Sequence, residues 1–158
     1  MTAPVASVRV NPQGIKLDDG FPTFIVFAAD PDVSLWEKTV KPPGLDGGDP
    51  IDTTTMLNDN LRTFASRSLK TMTPMTTTMA YDPKVFSQLL TLINVETTIT
   101  VRFPNGDTLA FYGYLRSFEP NEISEGEQPT ASVTIQPTNQ DPTTGNEENF
   151  VLTLSGGT

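Results

Sequence analysis

The chain has 158 residues, of which 36% are hydrophobic, and its 10 basic and 19 acidic residues give a formal net charge of −9. This length suits one compact domain, and the negative charge disfavours binding of nucleic acid through its phosphates. Because the sequence contains no cysteine and no histidine, it excludes disulfides, thiolate metal sites and imidazole-based catalysis.

The negative charge has two interpretations. It can keep the protein soluble by self-repulsion, or it can form an acidic lining past which DNA moves without sticking. We predict no secretory signal, because the sequence does not open with a basic region followed by an apolar run. We also predict no membrane helix, because no apolar stretch approaches about 18 residues.

Residues 1–20 are predicted to form an N-terminal arm, since Pro12, Gly14 and the Asp18-Asp19-Gly20 run interrupt any periodicity. The remaining residues, 21–158, are predicted to form a single β domain. Its first two strands are expected at residues 21–28 and 33–41. The first of them has apolar residues on both faces, which indicates burial.

Residues 44–60 form a segment rich in Gly and Asp that is too long for a simple hairpin turn. Loops above about 12–15 residues in a compact domain are usually functional or disordered, so we expect this loop to contact a partner. Asp46, Asp49 and Asp52 are spaced three residues apart in it, but an EF-hand needs ligands at alternate positions and a distal Glu. The preferred role of these aspartates is turn formation, and neither a metal nor another cofactor is predicted.

Residues 68–81 are predicted to form one long strand with two half-polar faces. Pro74, in its middle, cannot donate to a ladder, so we expect a bulge or a change of pairing partner there.

Asp82 and Pro83 are predicted to begin a helix, as its N-cap and first helical residue, and Asn94 is expected to end it. The apolar residues that follow have helical spacing and should pack on the sheet. They are Val85, Leu89, Leu92 and Ile93, with Phe86 and Leu90 widening the stripe.

Four further strands are predicted at residues 96–103, 108–118, 130–136 and 150–154, and Asn105-Gly106 forms the hairpin turn between the first two. The fold is therefore mainly β: a sandwich or open barrel of about seven or eight strands with one flanking α-helix. Several strands are rich in threonine and half-polar on both faces. Flat strands of this kind aggregate in a monomer but are expected where subunits share their edges.

No enzyme is predicted. The sequence lacks a phosphate-binding glycine loop and a Gly-x-Ser-x-Gly elbow, and the four glutamates of residues 119–127 are assigned to a solvated loop rather than to a glycosidase cleft. A group of aromatic residues could form a carbohydrate-binding platform, although aromatic strand residues belong more often to the core. The group consists of Trp36, Phe111, Tyr112 and Tyr114.

Seven segments resemble the major tail tube protein of siphophages. The most specific is Gly44-Leu-Asp-Gly-Gly-Asp-Pro-Ile-Asp-Thr-Thr-Thr-Met56, and Arg62-Thr-Phe-Ala-Ser-Arg-Ser-Leu-Lys70 follows it. The others are Ala80-Tyr-Asp-Pro83, Phe103-Pro-Asn-Gly-Asp-Thr-Leu-Ala-Phe-Tyr-Gly-Tyr-Leu115, Ser117-Phe-Glu-Pro120, Glu125-Gly-Glu-Gln-Pro129 and Pro137-Thr-Asn-Gln-Asp-Pro-Thr-Thr-Gly145. The resemblance extends over roughly residues 36–158.

The resemblance implies a structural protein of the virion that is assembled in the host cytoplasm and has the fold shared with tube proteins of contractile tails and type VI secretion systems. Six copies would form a ring, and rings would stack head-to-tail into a tube whose inner sheets join in one barrel. The barrel would conduct the genome without binding DNA specifically. The implied partners are the tail terminator, tape-measure and baseplate or distal tail proteins, with no membrane partner.

The resemblance also implies two sets of contact residues. The loop of residues 44–67 would reach the neighbouring ring through Gly44, Asp46, Asp49, Ile51, Asp52, Thr54, Met56, Arg62 and Phe64. The strands that join subunits would include Trp36, Lys70, Thr71, Thr73, Thr76 and Thr78. A tail terminator or head–tail joining ring protein of similar fold is the alternative, followed by a carbohydrate-binding β-sandwich.

Overall fold

A computed structural model describes residues 19–33 and 35–154, and all but two residues of the predicted N-terminal arm, 1–20, lie outside this part. The described part is mainly β and includes one helix, α1 (Pro83–Leu90). Its strands are β1 (Phe24–Phe27), β2 (Glu37–Lys41), β3 (Leu45–Asp46), β4 (Ile51–Asp52), β5 (Phe64–Ala65), β6 (Thr71–Met72), β7 (Met75–Ala80), β8 (Thr97–Arg102), β9 (Thr108–Pro120), β10 (Thr130–Pro137) and β11 (Val151–Thr153). No helix of the described residues is long and apolar enough to cross a membrane.

Seven of these strands form one antiparallel sheet in the order β1-β8-β9-β10-β7-β2, with β11 also pairing with β9. One edge of β9 pairs with β8, and the other edge is shared by β10 and β11. A register shift between Thr134 and Ile135 places a bulge in the β9–β10 ladder. The predicted fold class is confirmed, and of the two architectures left open the chain adopts the open, half-barrel sheet.

The core lies on one face of this sheet, because alternate strand residues are apolar and successive side chains point to opposite faces. The predicted alternation of β8 and β10 is observed: Ile99 and Val101 are buried, as are Ala131, Val133 and Ile135. The Asn105-Gly106 turn is also observed, with Gly106 at a φ of 93°. Alternating patterns therefore predicted these strands well.

The helix α1 covers the core face of the sheet. Asp82 caps it by accepting a hydrogen bond from the Lys84 backbone N–H at 3.0 Å, and Val85 and Leu89 are buried. The helix ends at Leu90, which is exposed, and not at the predicted Asn94. The reason is that the next residues turn towards β9: Leu92 is buried, Ile93 pairs with Leu115, and the Asn94 N–H donates to the Leu115 carbonyl at 3.0 Å.

Pro74 divides the predicted long strand of residues 68–81, as expected. β6 pairs with β3, whereas β7 pairs with β2 and β10 in the main sheet. The division also shifts the alternation of side chains. Met72 and Met75 would point to opposite faces of a continuous strand, but both are buried. Leu69, which a continuous strand would place on the same face as Met75, is exposed.

Two predicted strands are shorter in the structure. β2 begins at Glu37 instead of residue 33, because Val33 and Leu35 are buried in the connection before it and make no ladder. β1 covers four of the eight predicted residues.

Candidate assembly surfaces

The segment between β2 and β7 is a hairpin that leaves one end of the sheet, and we call residues 44–71 the arm. At its base Leu45 pairs with Met72, and farther out Ile51 pairs with Ala65. These two short ladders carry the tip, residues 53–63. The expected irregular loop is therefore a β-structured arm that continues the β2–β7 hairpin.

No side chain of the arm is buried, and only Asn58 and Ala65 are half-buried. Hydrogen bonds hold the backbone instead: the Thr53 N–H donates to the Thr63 carbonyl at 2.9 Å, and the Asn58 side-chain amide donates to the Leu61 carbonyl at 2.8 Å. The predicted contact residues Gly44, Asp46, Asp49, Ile51, Asp52, Thr54, Met56, Arg62 and Phe64 all lie exposed on this arm. The arm thus has an ordered frame without a core of its own.

The tip presents apolar side chains to solvent. Met56 is 102% exposed, Leu57 is 91% exposed and Leu61 is 79% exposed. Exposed apolar residues are unremarkable singly, but a contiguous group on a projecting segment marks an interaction surface. The tip is therefore a candidate contact site.

The aspartates of the arm shape its turns. A carboxylate oxygen of Asp46 accepts a hydrogen bond from the Gly48 N–H at 2.9 Å, and Gly48 has a φ of 83°. Hydrogen bonds from the Thr54 side chain and backbone hold the pKa of the Asp52 carboxyl below its usual value. Within the described ranges no group of three or more acidic side chains is placed to hold a metal ion.

Asn139 anchors the base of the arm to the sheet. The side-chain amide nitrogen of Asn139 donates to the Thr71 hydroxyl at 3.2 Å, and its side-chain oxygen accepts from the Met72 N–H at 3.4 Å. Its φ of 62° lies in the left-handed region that Asn tolerates. Beside it is a groove of about 540 Å³, lined in part by Leu45 and Leu69. This role of Asn139 was not predicted, and the only sequence signal near it is the polar composition of residues 137–148.

The face of the sheet opposite to the core is lined with hydroxyl groups. The strand register places four residues of β2, β7, β10 and β9 opposite one another in each of two rows. The first row is Thr39, Thr78, Ser132 and Glu119, and the second is Lys41, Thr76, Thr134 and Ser117. Glu119 and Lys41 cancel, which gives these rows a formal charge of +1 − 1 = 0. We call this surface the hydroxyl face.

Few carboxylates lie on the seven strands of the main sheet, which contain only Glu37 and Glu119. The other described acidic residues are in connections and in the arm. The carboxylates of the described residues are therefore concentrated outside the strands of the main sheet.

The strand order of the sheet ends at β1 and at β2, and each of these strands, like β11, pairs with one neighbour among the described strands. A side chain connects them, because the Ile25 N–H of β1 donates to a carboxylate oxygen of Glu37 in β2 at 3.0 Å. Burial raises the pKa of the Glu37 carboxyl, and the hydrogen bond from Ile25 opposes this increase. Glu37 thus holds the two edges of the half-barrel together.

The residues predicted to join subunits fall into two groups. Trp36, Thr76 and Thr78 lie along the β2–β7 ladder, whereas Lys70, Thr71 and Thr73 lie on the arm side of Pro74. Thr73 joins the arm to the sheet, since its N–H donates to the Gly44 carbonyl at 2.9 Å and its hydroxyl accepts from the Gly44 N–H at 2.8 Å. The structure does not bring the six residues together on one strand.

The aromatic residues considered for carbohydrate binding do not share a surface. Phe111 is buried in the core, whereas Tyr112 and Tyr114 alternate with it and point to the opposite face. Trp36 is exposed elsewhere and donates its indole N–H to Asp82 at 3.2 Å. No common sugar platform is formed by these four residues.

Comparison with known proteins finds similarity in structure alone. No protein-family model matches the sequence, and no curated protein matches it. A chain from the virion of a native gene transfer agent particle superposes with a TM-score of 0.60 at 9% identity, covering 87% of this chain and 100% of that chain. A chain from the baseplate of the anti-feeding prophage gives a TM-score of 0.57 at 3% identity, covering 82% and 89%. A type six secretion system protein gives 0.48 at 12% identity, covering 82% and 90%.

Proposed function

We propose that this chain is a structural subunit of a phage-type tail, in which six copies form a ring and the rings stack into the tail tube. Shared fold supports the tail assignment, because the similar chains come from a gene transfer agent virion and a prophage baseplate. The proposed location is the virion, after assembly in the host cytoplasm. The proposed role is structural and not enzymatic.

The arm is the observation that carries this proposal. A segment of 28 residues that is ordered by its own hydrogen bonds, buries none of its side chains and exposes an apolar tip gains little stability for the monomer. The tip would bury its exposed apolar side chains if it packed against another copy. Contact between rings through residues 44–67 provides that packing.

Ring formation would use the edges of the sheet. β2 has no partner strand on its outer side among the described residues, whereas the Ile25 N–H of β1 already donates to Glu37, and pairing of β2 with a strand of the neighbouring subunit would join six sheets into one barrel. The hydroxyl face is then the surface available to line the bore, because α1 covers the other face. The two rows of such a bore would form a hydrogen-bonding wall in which Lys41 and Glu119 leave no net charge, so the wall would attract passing DNA only weakly.

The proposed partners follow from this role. A tail terminator and baseplate or distal tail proteins would contact the tube at its two ends, a tape-measure protein would occupy the bore during assembly, and DNA would pass through it without specific binding.

Replacement of the tip tests the proposal. Asp52 and Phe64 pair across the arm, so residues 53–63 can be replaced by Asn-Gly, which closes a two-residue hairpin. We expect the wild-type protein to form tubes or stacked rings in negative-stain electron microscopy, and the shortened variant to form none while its melting temperature stays close to that of the wild type.

Two outcomes would contradict the proposal. Tubes formed by the shortened variant would show that the tip is not the contact between rings. Isolated rings from the wild-type protein under all conditions would favour a tail terminator or joining protein, which forms one ring and stops. As a matched control, a Thr55→Ser change within the tip should leave tube formation intact, because serine keeps the hydroxyl that accepts from the Leu57 N–H.

A further inference from the structure

The two ends of the sheet are occupied by different segments, which follows from the direction of the strands. Lys41 at the end of β2 pairs with Thr76 at the start of β7, so the arm leaves from this end. At the opposite end Ala80 pairs with Thr130, and Ala131 pairs with Pro120. Three connections lie there: residues 28–33 with 35–36, residues 81–82 with the first two residues of α1, and residues 121–129. We call these connections together the acceptor end.

Hydrogen bonds join the three connections of the acceptor end into one surface. Trp36 donates its indole N–H to Asp82 at 3.2 Å, and the Tyr81 N–H donates to the Pro129 carbonyl at 2.9 Å. Gln128 accepts a hydrogen bond from the Lys38 ammonium of β2 at 2.9 Å. The long connection 121–129 is therefore held against the start of β2.

This surface combines exposed apolar groups with negative charge. Trp36 is 58% exposed and Ile123 is 61% exposed. Around them the acceptor end has six carboxylates and one lysine, a formal charge of −6 + 1 = −5; these residues are Asp30, Asp32, Asp82, Lys84, Glu122, Glu125 and Glu127. Apolar groups surrounded by a charged rim are the usual anatomy of a protein interface.

The tip and the returning limb of the arm are complementary to this surface in both respects, whereas the limb of residues 45–52 carries Asp46, Asp49 and Asp52, and Asp52 pairs with Arg62 at 3.4 Å. Its tip exposes Met56, Leu57 and Leu61, and its returning limb, residues 62–70, contains Arg62, Arg67 and Lys70 but no carboxylate. The limb of residues 45–52 spans at most about 26 Å at about 3.3 Å per residue, which is enough to cross onto a copy stacked end to end. Arm and acceptor end lie at opposite ends of one sheet, as a head-to-tail contact requires.

We propose that the acceptor end is the docking surface for the arm of the next copy, with the apolar tip packing near Trp36 and Ile123 and the basic returning limb facing the carboxylates of residues 122–127. This inference rests on the proposed function and goes beyond it by naming the surface that receives the arm. The contact is heterologous, so each copy both donates an arm and accepts one.

A charge exchange tests this pairing. The arm-reversed variant carries Arg62→Glu and Lys70→Glu, and the acceptor-reversed variant carries Glu122→Lys and Glu125→Lys; all four residues are exposed. Each variant alone brings like charges together, and we expect loss of sedimenting tubes. In an equimolar mixture, a stack in which the two variants alternate has complementary charges at every contact, as does the quadruple variant, and both samples should form tubes again.

The control makes the same change in net charge as the arm-reversed variant, at residues elsewhere in the chain. Arg102→Glu with Arg116→Glu lies outside both surfaces on exposed strand positions, and this variant should still form tubes. Circular dichroism and thermal melting of every variant should match the wild type.

The results separate the two proposals. If wild-type protein forms no tubes or stacked rings, the proposed function fails. If wild-type tubes form but either reversed variant also forms them alone, or neither the mixture nor the quadruple variant does so, the acceptor end is not the receptor. Loss of tubes in the control variant would likewise overturn the inference, because total charge and not its placement would then govern assembly.

Discussion

Thr77 is the one buried polar side chain of the described residues whose hydroxyl has no hydrogen-bond partner. It lies in β7 between Met75 and Met79, and its direct neighbours across the strands are Val133 and Val40. A hydroxyl removed from water without a partner costs free energy, because its bonds to water are not replaced. The residue is therefore a threonine at a position whose surroundings suit valine.

Replacing Thr77 with valine should stabilise the monomer. Valine has the same shape and no hydroxyl, so we expect the free energy of unfolding to rise by about 1 kcal/mol. Urea denaturation measures it, with Thr78→Val on the hydroxyl face as a matched control expected to change by less than about 0.5 kcal/mol. A less stable Thr77→Val protein would mean that the hydroxyl has a partner after all.

At the scale of elements, β9 organises the fold because it pairs with β8 on one edge and with β10 and β11 on the other. Gly113 marks the position where these ladders meet, opposite both Thr97 and Pro137. A Cβ atom at this residue would lie 2.7 Å from the Gln136 carbonyl oxygen, which is backbone and cannot rotate away. The close approach of β9 and β10 therefore requires glycine.

Gly113→Ala should destabilise the protein by roughly 1–3 kcal/mol, since the added methyl group must push two central strands apart. Thermal unfolding of the monomer measures this change. Gly47→Ala adds the same methyl group to the arm, where nothing lies within 4 Å, and should leave the melting temperature nearly unchanged. Equal melting temperatures of the two variants would contradict the predicted clash.

Elements with strong local signals could be predicted from the sequence. The Asp82-Pro83 start of α1, the Asn105-Gly106 turn and the alternation of β8 and β10 all depend on neighbours in the chain, and all are observed. The ladders of the arm could not be predicted, because two-residue strands are too short to show a period. Contacts between distant segments, such as Asn139 with Thr71 or Glu37 with Ile25, leave no local pattern at all.

At the scale of the whole molecule, the open sheet is held in its half-barrel shape partly by Glu37, whose carboxylate accepts a hydrogen bond from β1. This carboxyl is half-buried, and burial raises its pKa above the ordinary value of 4.5. A raised pKa means that the folded protein binds this proton more tightly than the unfolded chain. Glu37 therefore contributes less to stability once it is ionised.

The pH dependence follows from that sign. As pH rises from 4.5 through the raised pKa of folded Glu37, the stability contribution of this residue falls, and above the window the cost of the buried charge is fully present. Glu37→Gln keeps an acceptor for the Ile25 N–H without a charge. We expect the stability of this variant relative to the wild type to improve between pH 4 and pH 7, measured by urea denaturation of both monomers. A difference that is constant over this range would contradict the prediction.

Because the arm leaves from one end of the sheet and the acceptor end lies at the other, a proposed stack of these subunits has two chemically unlike termini. With six copies in a ring, as proposed, one terminus would offer six projecting apolar tips and the other six acidic surfaces. A protein that closes the first needs a receptor surface, whereas a protein that closes the second needs an arm of its own. In the proposed stack the two capping proteins could therefore not exchange places, and this difference alone would fix the direction in which the stack is built.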